Sequence, residues 1–89
     1  MTECRLEIVN EKGLHARASA KLVEVVEGFD ACVEVLKDGQ SASGDSIMGL
    51  LMLAASKGSF IDIRTSGPDA DALAEALTVL VADKFGEGQ

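Results

Sequence analysis

Polar and apolar positions alternate along residues 4–9, with Val9 the one exception. Cys4, Leu6 and Ile8 fall on one face and Arg5 and Glu7 on the other, the period-two pattern of a half-buried strand. Past a polar loop the period lengthens. Ala18, Leu22, Val25, Val26 and Phe29 mark one helical stripe, Arg17, Lys21, Glu24 and Glu27 mark the opposite face, and Gly28 ends the helix. Residues 31–36, apolar and β-branched at Val33 and Val35, read as a strand. Asp38-Gly39 is a two-residue hairpin signal that returns the chain through residues 40–43. Ser46 is the natural N-cap of a short helix, and Lys57-Gly58 closes that region. Residues 60–65 form a strand with Ile61 and Ile63 inward and Asp62 and Arg64 outward. Gly67-Pro68-Asp69 is a turn whose aspartate is expected to cap the last helix, with Asp71 in its first turn. Leu73, Leu77, Leu80, Val81 and Phe85 form the stripe of that helix, and Gly86 stops it.

The order βαββαβα, with one apolar face per strand and one stripe per long helix, predicts an α+β fold: an open-faced two-layer sandwich with the helices on one face of a four-stranded sheet. The hairpin makes at least part of that sheet antiparallel. No repeat, low-complexity stretch or linker divides the chain, so residues 1–89 read as a single domain.

Charge narrows the partners. The net charge of −7 argues against nucleic acid and against anionic membrane, because their phosphates would be repelled. No apolar run is long enough to span a bilayer and no charged-then-apolar leader opens the chain, which places the protein in the cytoplasm by expectation. Cys4 and Cys32, without CxxC or zinc spacing, read as two reduced core thiols, and no metal or cofactor is expected. Within this acidic chain residues 12–23 and 46–61 lack Asp and Glu. The first window carries Lys12, Arg17 and Lys21, and the second carries Lys57. Together they read as two halves of one neutral-to-basic docking face.

The chemistry concentrates at Asn10-Glu11-Lys12-Gly13-Leu14-His15-Ala16-Arg17. Gly13 permits a turn, and good helix formers begin at Ala16, so the single histidine of the chain, His15, falls at or near a helix N-cap. The free N–H groups of that helix end lie beside it, and Arg17 can swing back toward the same point. A lone histidine is ordinarily a cap or surface residue. Here the helix end favours a neutral ring, and with Arg17 it would stabilise a phosphoryl group once one arrived. No paired carboxylates, catalytic triad, metal set or glycine-rich phosphate loop accompanies it. A histidine equipped to hold phosphate, without machinery to make or cleave it, reads as a carrier rather than an enzyme.

Residues 47–53, Ile-Met-Gly-Leu-Leu-Met-Leu, are apolar all round. Leu50 and Leu53 are expected to be buried. In so small a domain Met48, Leu51, Ile47 and Met52 are left as an adaptable contact patch.

Gly13-Leu14-His15-Ala16-Arg17 resembles the active-site signature of the HPr family, histidine-containing phosphocarriers of the bacterial phosphoenolpyruvate-dependent phosphotransferase system. Ser46-Ile47-Met48-Gly49 with Lys57-Gly58 is similar to the family's regulatory-serine segment. The resemblance covers nearly the whole chain. It implies that His15 takes phosphate on Nδ1 from enzyme I and passes it to IIA-type proteins, that Arg17 stabilises the phosphoryl group, and that Ser46 is phosphorylated by HPr kinase/phosphorylase. It further implies that the patch of Ile47, Met48, Leu51 and Met52, with Lys21, meets these partners, and that the antiparallel sheet has strand order 1-4-2-3 under three helices. Where the family usually has proline after the arginine, this chain has Ala18. Gly28-Phe29-Asp30-Ala31 and Thr65-Ser66-Gly67-Pro68 are closer to the nitrogen-type branch, NPr, and imply a nitrogen-type IIA acceptor as an alternative to sugar uptake. An adaptor that only binds through the Ser46 helix is the rival from another class.

Overall fold

The structure, a computed structural model, describes residues 2–86. Its elements are strand β1 (Thr2–Glu7), helix α1 (Ala16–Glu27), strands β2 (Cys32–Lys37) and β3 (Gln40–Ser43), helix α2 (Ile47–Met52), strand β4 (Phe60–Ser66), helix α3 (Ala70–Ala82) and a single 3-10 turn (Lys84–Gly86). The order and nature of the elements are those expected, and each strand boundary lies within two residues of the expected one.

All pairings in the four-stranded sheet are antiparallel and its order is β1-β4-β2-β3. Strand alternation assigns the faces. Leu6, Val33, Val35, Ala42, Ile61 and Ile63 point inward and are buried. On the outer face Arg64 stands between Glu3 and Glu34 in the register, and Arg5 stands opposite Asp62, so unlike charges alternate across strands. The Arg5 side chain bonds the Asp62 carboxylate at 3.0 Å and holds it below the usual carboxylate range, chiefly through that hydrogen bond. A carboxylate lowered in this way stabilises the fold above its ordinary titration range, and the contribution is lost as pH falls through the lowered value. Both partners are exposed, so the effect is small.

The helices cover the inner face. α3 packs on β1 and β4, α2 packs on β3, and α1 touches both other helices. Leu22 and Val26 of α1, Leu50 of α2, and Leu73, Leu77 and Val81 of α3 meet Ile8, Val35, Ile61 and Ile63 in one cluster. Each such side chain contributes about 1.5–3 kcal/mol on burial. The hairpin forms as expected, with Asp38 and Gly39 both at positive φ, the pairing of conformations that lets a two-residue turn follow the strand twist.

Four expectations need correction. Cys32 is exposed rather than a core thiol, because Val33 and Val35 take the inward positions of β2 and the residue before them must face out; Cys4 is half-buried against the core. Asp69 sits at the N-cap of α3 but makes no cap bond, since its backbone is not extended there. Its carboxylate instead accepts the Asp30 N–H at 2.8 Å while its own N–H donates to the Asp30 carbonyl at 3.1 Å, tying the end of α1 to the start of α3. Leu80 is only partly buried. Phe85 does not continue the α3 stripe: the helix ends at Ala82, and Lys84 and Phe85 both turn to a φ of 55°. The reversal carries the Phe85 ring into full burial, which offsets the backbone cost.

Ala54 is strained in the same sense, with φ 54° just past α2, where a helix commonly ends in glycine. It is exposed, so its methyl group contributes little packing. The left-handed conformation costs an L-residue roughly 1–2 kcal/mol, and glycine gives back part of that through its freer unfolded chain. Ala54→Gly should therefore stabilise the protein by about 0.5–1 kcal/mol, read as a higher urea midpoint at unchanged slope.

Candidate functional site

The site is built at the end of the sheet where β1 runs out and β4 begins. Their register ends with Glu7 opposite Phe60. The pairing continues past the sheet: the Ile8 N–H donates to the Ser59 carbonyl, and the Gly58 N–H to the Ile8 carbonyl, each at 2.8 Å. The chain then makes a turn in which the Gly13 N–H bonds the Asn10 carbonyl at 3.2 Å and the Asn10 side-chain amide donates to the Gly13 carbonyl at 2.8 Å. Gly13 has φ +64°, and a Cβ there would stand 2.3 Å from the Ala55 carbonyl oxygen. Both the conformation and the space require glycine. The next residue is clamped on both backbone groups. The Leu14 N–H donates to the Ala55 carbonyl at 2.8 Å, its carbonyl accepts the buried Ser19 hydroxyl at 3.4 Å, and its side chain is buried.

His15 follows as the N-cap of α1, extended at φ −80°, ψ −175°, as the sequence leads one to expect. Its Nδ1 accepts the Arg17 backbone N–H at 3.3 Å, and its carbonyl accepts the Ser19 N–H at 2.8 Å, the first turn of the helix. A neutral ring that accepts at Nδ1 carries its proton on Nε2. The ring is half-buried, and Arg17, in the first turn, is exposed. The Arg17 guanidinium makes no ion pair among the described residues. Ala18, in the place where the family usually has proline, is fully buried, and α1 starts at Ala16 without it.

Ser46 caps α2 as expected, its hydroxyl accepting the Gly49 N–H at 3.1 Å. Leu50 and Leu53 are buried, whereas Met48 and Met52 are 70% and 75% exposed and Ile47 is exposed beside them. Leu51 is half-buried. α2 packs against α1, so this apolar surface belongs to the same side of the molecule as the helix that His15 caps. Lys21 is exposed on α1, and its ammonium lies over the C-terminal turn, 3.5 Å from the place a Cβ on Gly86 would take.

The basic face needs one correction. Lys57 is not an open charge: it pairs with Glu11 at 2.8 Å across 46 residues of sequence. That hydrogen bond, with Lys84 nearby, holds the Glu11 carboxyl below the usual carboxylate range. Sequence reading passed over Glu11, Ser19, Ala54 and Ala55. Only Glu11 left a trace there, as the last acid before the first acid-free window, with Lys57 as the lone cation of the second. Among the described residues no group of three or more His, Cys, Asp or Glu side chains comes together to hold a metal, and no helix is long and apolar enough to cross a membrane.

The open-faced sandwich of this strand order is shared with solved structures of small phosphocarrier proteins. The chain belongs to the HPr family: the family model described as "PTS HPr component phosphorylation site" matches residues 2–83. It is 45% identical over 89 residues to phosphocarrier protein HPr of Neisseria meningitidis, covering 100% of both chains. It is 41% identical to phosphocarrier protein NPr of Shewanella violacea over 96% of this chain and 93% of that protein. The crystal structure of HPr-C-His from Thermoanaerobacter tengcongensis superimposes with a TM-score of 0.93 at 37% identity, covering 98% of each chain.

The Gly13 geometry sets an expectation of its own. Gly13→Ala combines a left-handed strain with a clash against backbone that cannot swing away, and should cost about 2–4 kcal/mol of unfolding free energy. Denaturant titration measures it, and a loss below about 1 kcal/mol would mean that the contact with Ala55 is loose.

Proposed function

We propose that the chain carries a phosphoryl group on His15, taken from phospho-enzyme I and handed to a IIA-type protein. The observation that carries this reading is the aim of Nδ1 at the start of α1, where it accepts the Arg17 N–H. In the first transfer the Nδ1 lone pair attacks phosphorus while the bond from phosphorus to the donor atom breaks, the donor keeping the electron pair. The new phosphoryl oxygens then take over from Nδ1 as acceptors for the Arg17 N–H, in the positive field of the helix end. The Arg17 guanidinium supplies a full positive charge with a planar fork of donors beside them. Onward transfer is the same displacement at phosphorus with an acceptor nucleophile, and His15 returns to its capping bond. The chain thus acts as a carrier in the cytoplasm, and no cofactor enters the transfer.

In this reading the partners dock on Ile47, Met48, Leu51 and Met52, with Lys21 at the edge, and methionine suits a surface that must meet more than one protein. Ser46 is the regulatory position, phosphorylated by an HPr kinase/phosphorylase. Phosphate there is welcome to the helix but adds charge beside an apolar contact. The likeness to NPr supports a second reading, in which the acceptor is a nitrogen-type IIA protein rather than the IIA of a sugar permease.

Incubation with enzyme I and phosphoenolpyruvate should add one acid-labile phosphate to the wild-type chain and none to His15→Ala. Arg17→Ala should slow transfer at least tenfold while changing stability by no more than ~0.5 kcal/mol, the range of exposed substitutions. Label on His15→Ala, or wild-type rates in Arg17→Ala, would overturn these roles.

Ser46→Asp should weaken enzyme I binding several-fold in titration calorimetry without lowering the melting temperature, because aspartate also caps a helix. Ser46→Asn, a neutral cap, should bind like the wild type. Equal affinities for all three proteins would reduce Ser46 to a cap.

A further inference from the structure

The segment leading to His15 and the segment leading to β4 run antiparallel beyond the end of the sheet. Ile8 is bonded to Gly58 and Ser59, and Leu14 is bonded to Ala55. Between these backbone clips the turn at residues 10–13 leaves Glu11 and Lys12 exposed, while Asn10 and Gly13 are buried and Gly13 lies against the Ala55 carbonyl. Glu11 lies at the tip of the turn and Lys57 lies opposite it on the other segment, where their side chains meet at 2.8 Å. The ion pair therefore adds a side-chain contact between the backbone clips, in the series 8 to 58, 11 to 57 and 14 to 55. We propose that Glu11 and Lys57 are positioning residues for His15: their ion pair pins the tip of the turn to the 54–58 segment and so narrows the motion of the Leu14–His15 backbone. The proposal rests on the phosphocarrier reading for its consequence in transfer, though not for its consequence in loop motion.

Two physical points give the pair this part and no larger one. Both side chains are more than half exposed, so it adds little to global stability. A loop tip held at its ends, by contrast, opens locally at low cost, and a weak tether there changes local opening more than it changes unfolding. Transfer between two proteins is sensitive to small displacements of the reacting nitrogen, so a looser Leu14–His15 backbone lowers the rate of the chemical step. The same pair also suggests an opposite behaviour. If Glu11 merely masked Lys57 from an acidic partner, removing the carboxylate would strengthen docking.

The test uses the full chain as the substrate of enzyme I with phosphoenolpyruvate. Glu11→Gln and Lys57→Gln should each lower kcat about two- to fivefold, the range open to an exposed ion pair, with unchanged melting temperatures. The reversed pair, Glu11→Lys with Lys57→Glu, should return kcat to within about twofold of the wild type. Amide hydrogen exchange at Leu14 should speed up several-fold in each single variant and slow again in the reversed pair, while core amides stay the same. Unchanged rates and unchanged Leu14 exchange in the single variants overturn the proposal. A Glu11→Gln protein with a lowered KM and unchanged kcat overturns it in favour of masking, and a reversed pair as slow as the single variants overturns it in favour of direct contact of Lys57 with the partner. A wild-type chain that takes no phosphate overturns the phosphocarrier reading instead, and the Leu14 exchange then decides the tether by itself.

Discussion

The antiparallel pairing of the first strand with the last is the constraint on which the rest of the molecule depends. It is the pairing of longest sequence separation in the sheet, and it ends with Glu7 opposite Phe60. Because the ladder continues through Ile8, Gly58 and Ser59, two loops far apart in sequence leave the sheet side by side. One of them delivers His15 to the start of α1, and the other carries the chain out of α2. The site is thus a consequence of sheet register. A slip of one residue would turn every side chain of β1 to the opposite face and would also separate Leu14 from Ala55.

Backbone atoms do most of the positioning around His15. The Ala55 carbonyl, the Arg17 N–H and the closeness of Ala55 to Gly13 set the loop, while the side chains of Asn10 and Ser19 satisfy the carbonyls that the turn leaves over. Such an arrangement needs few particular side chains, apart from the glycine that no other residue can replace. It also explains how the helix tolerates Ala18. The first turn is organised by the His15 cap and by the clamp on Leu14, so a rigid ring at the third helical position is not what starts the helix.

The two faces of the sheet divide the labour. The inner face carries the apolar core under the helices, and the outer face carries charges that alternate in sign across strands, with Arg64 between Glu3 and Glu34 and Arg5 against Asp62. The exposed apolar surface on the helical side is centred on α2, a helix too short to be covered on every side. In a chain that is strongly acidic as a whole, residues 12–23 around His15 carry no acid in the sequence, and Glu11 just before them is engaged by Lys57.

The sequence by itself determined what local physics decides. Period-two and helical patterns located β1, α1, β4 and α3, the Asp38-Gly39 turn and the Ser46 cap formed as written, and His15 was legible as a helix start because Gly13 and Ala16 flank it with opposite preferences. Tertiary structure decided whatever depends on a neighbour distant in sequence. Asp69 has the residue type of a cap, yet the nearby Asp30 backbone offered its carboxylate a different donor. Phe85 fits a helical stripe, yet a left-handed turn after α3 was the route by which its ring reached the core. Lys57 looked like an open charge until the fold set Glu11 against it. Local preferences act over a few residues and are written in composition and spacing. A side chain's final partner depends on which groups the sheet register brings within about 3 Å, and hydrogen bonds and ion pairs act only at that range.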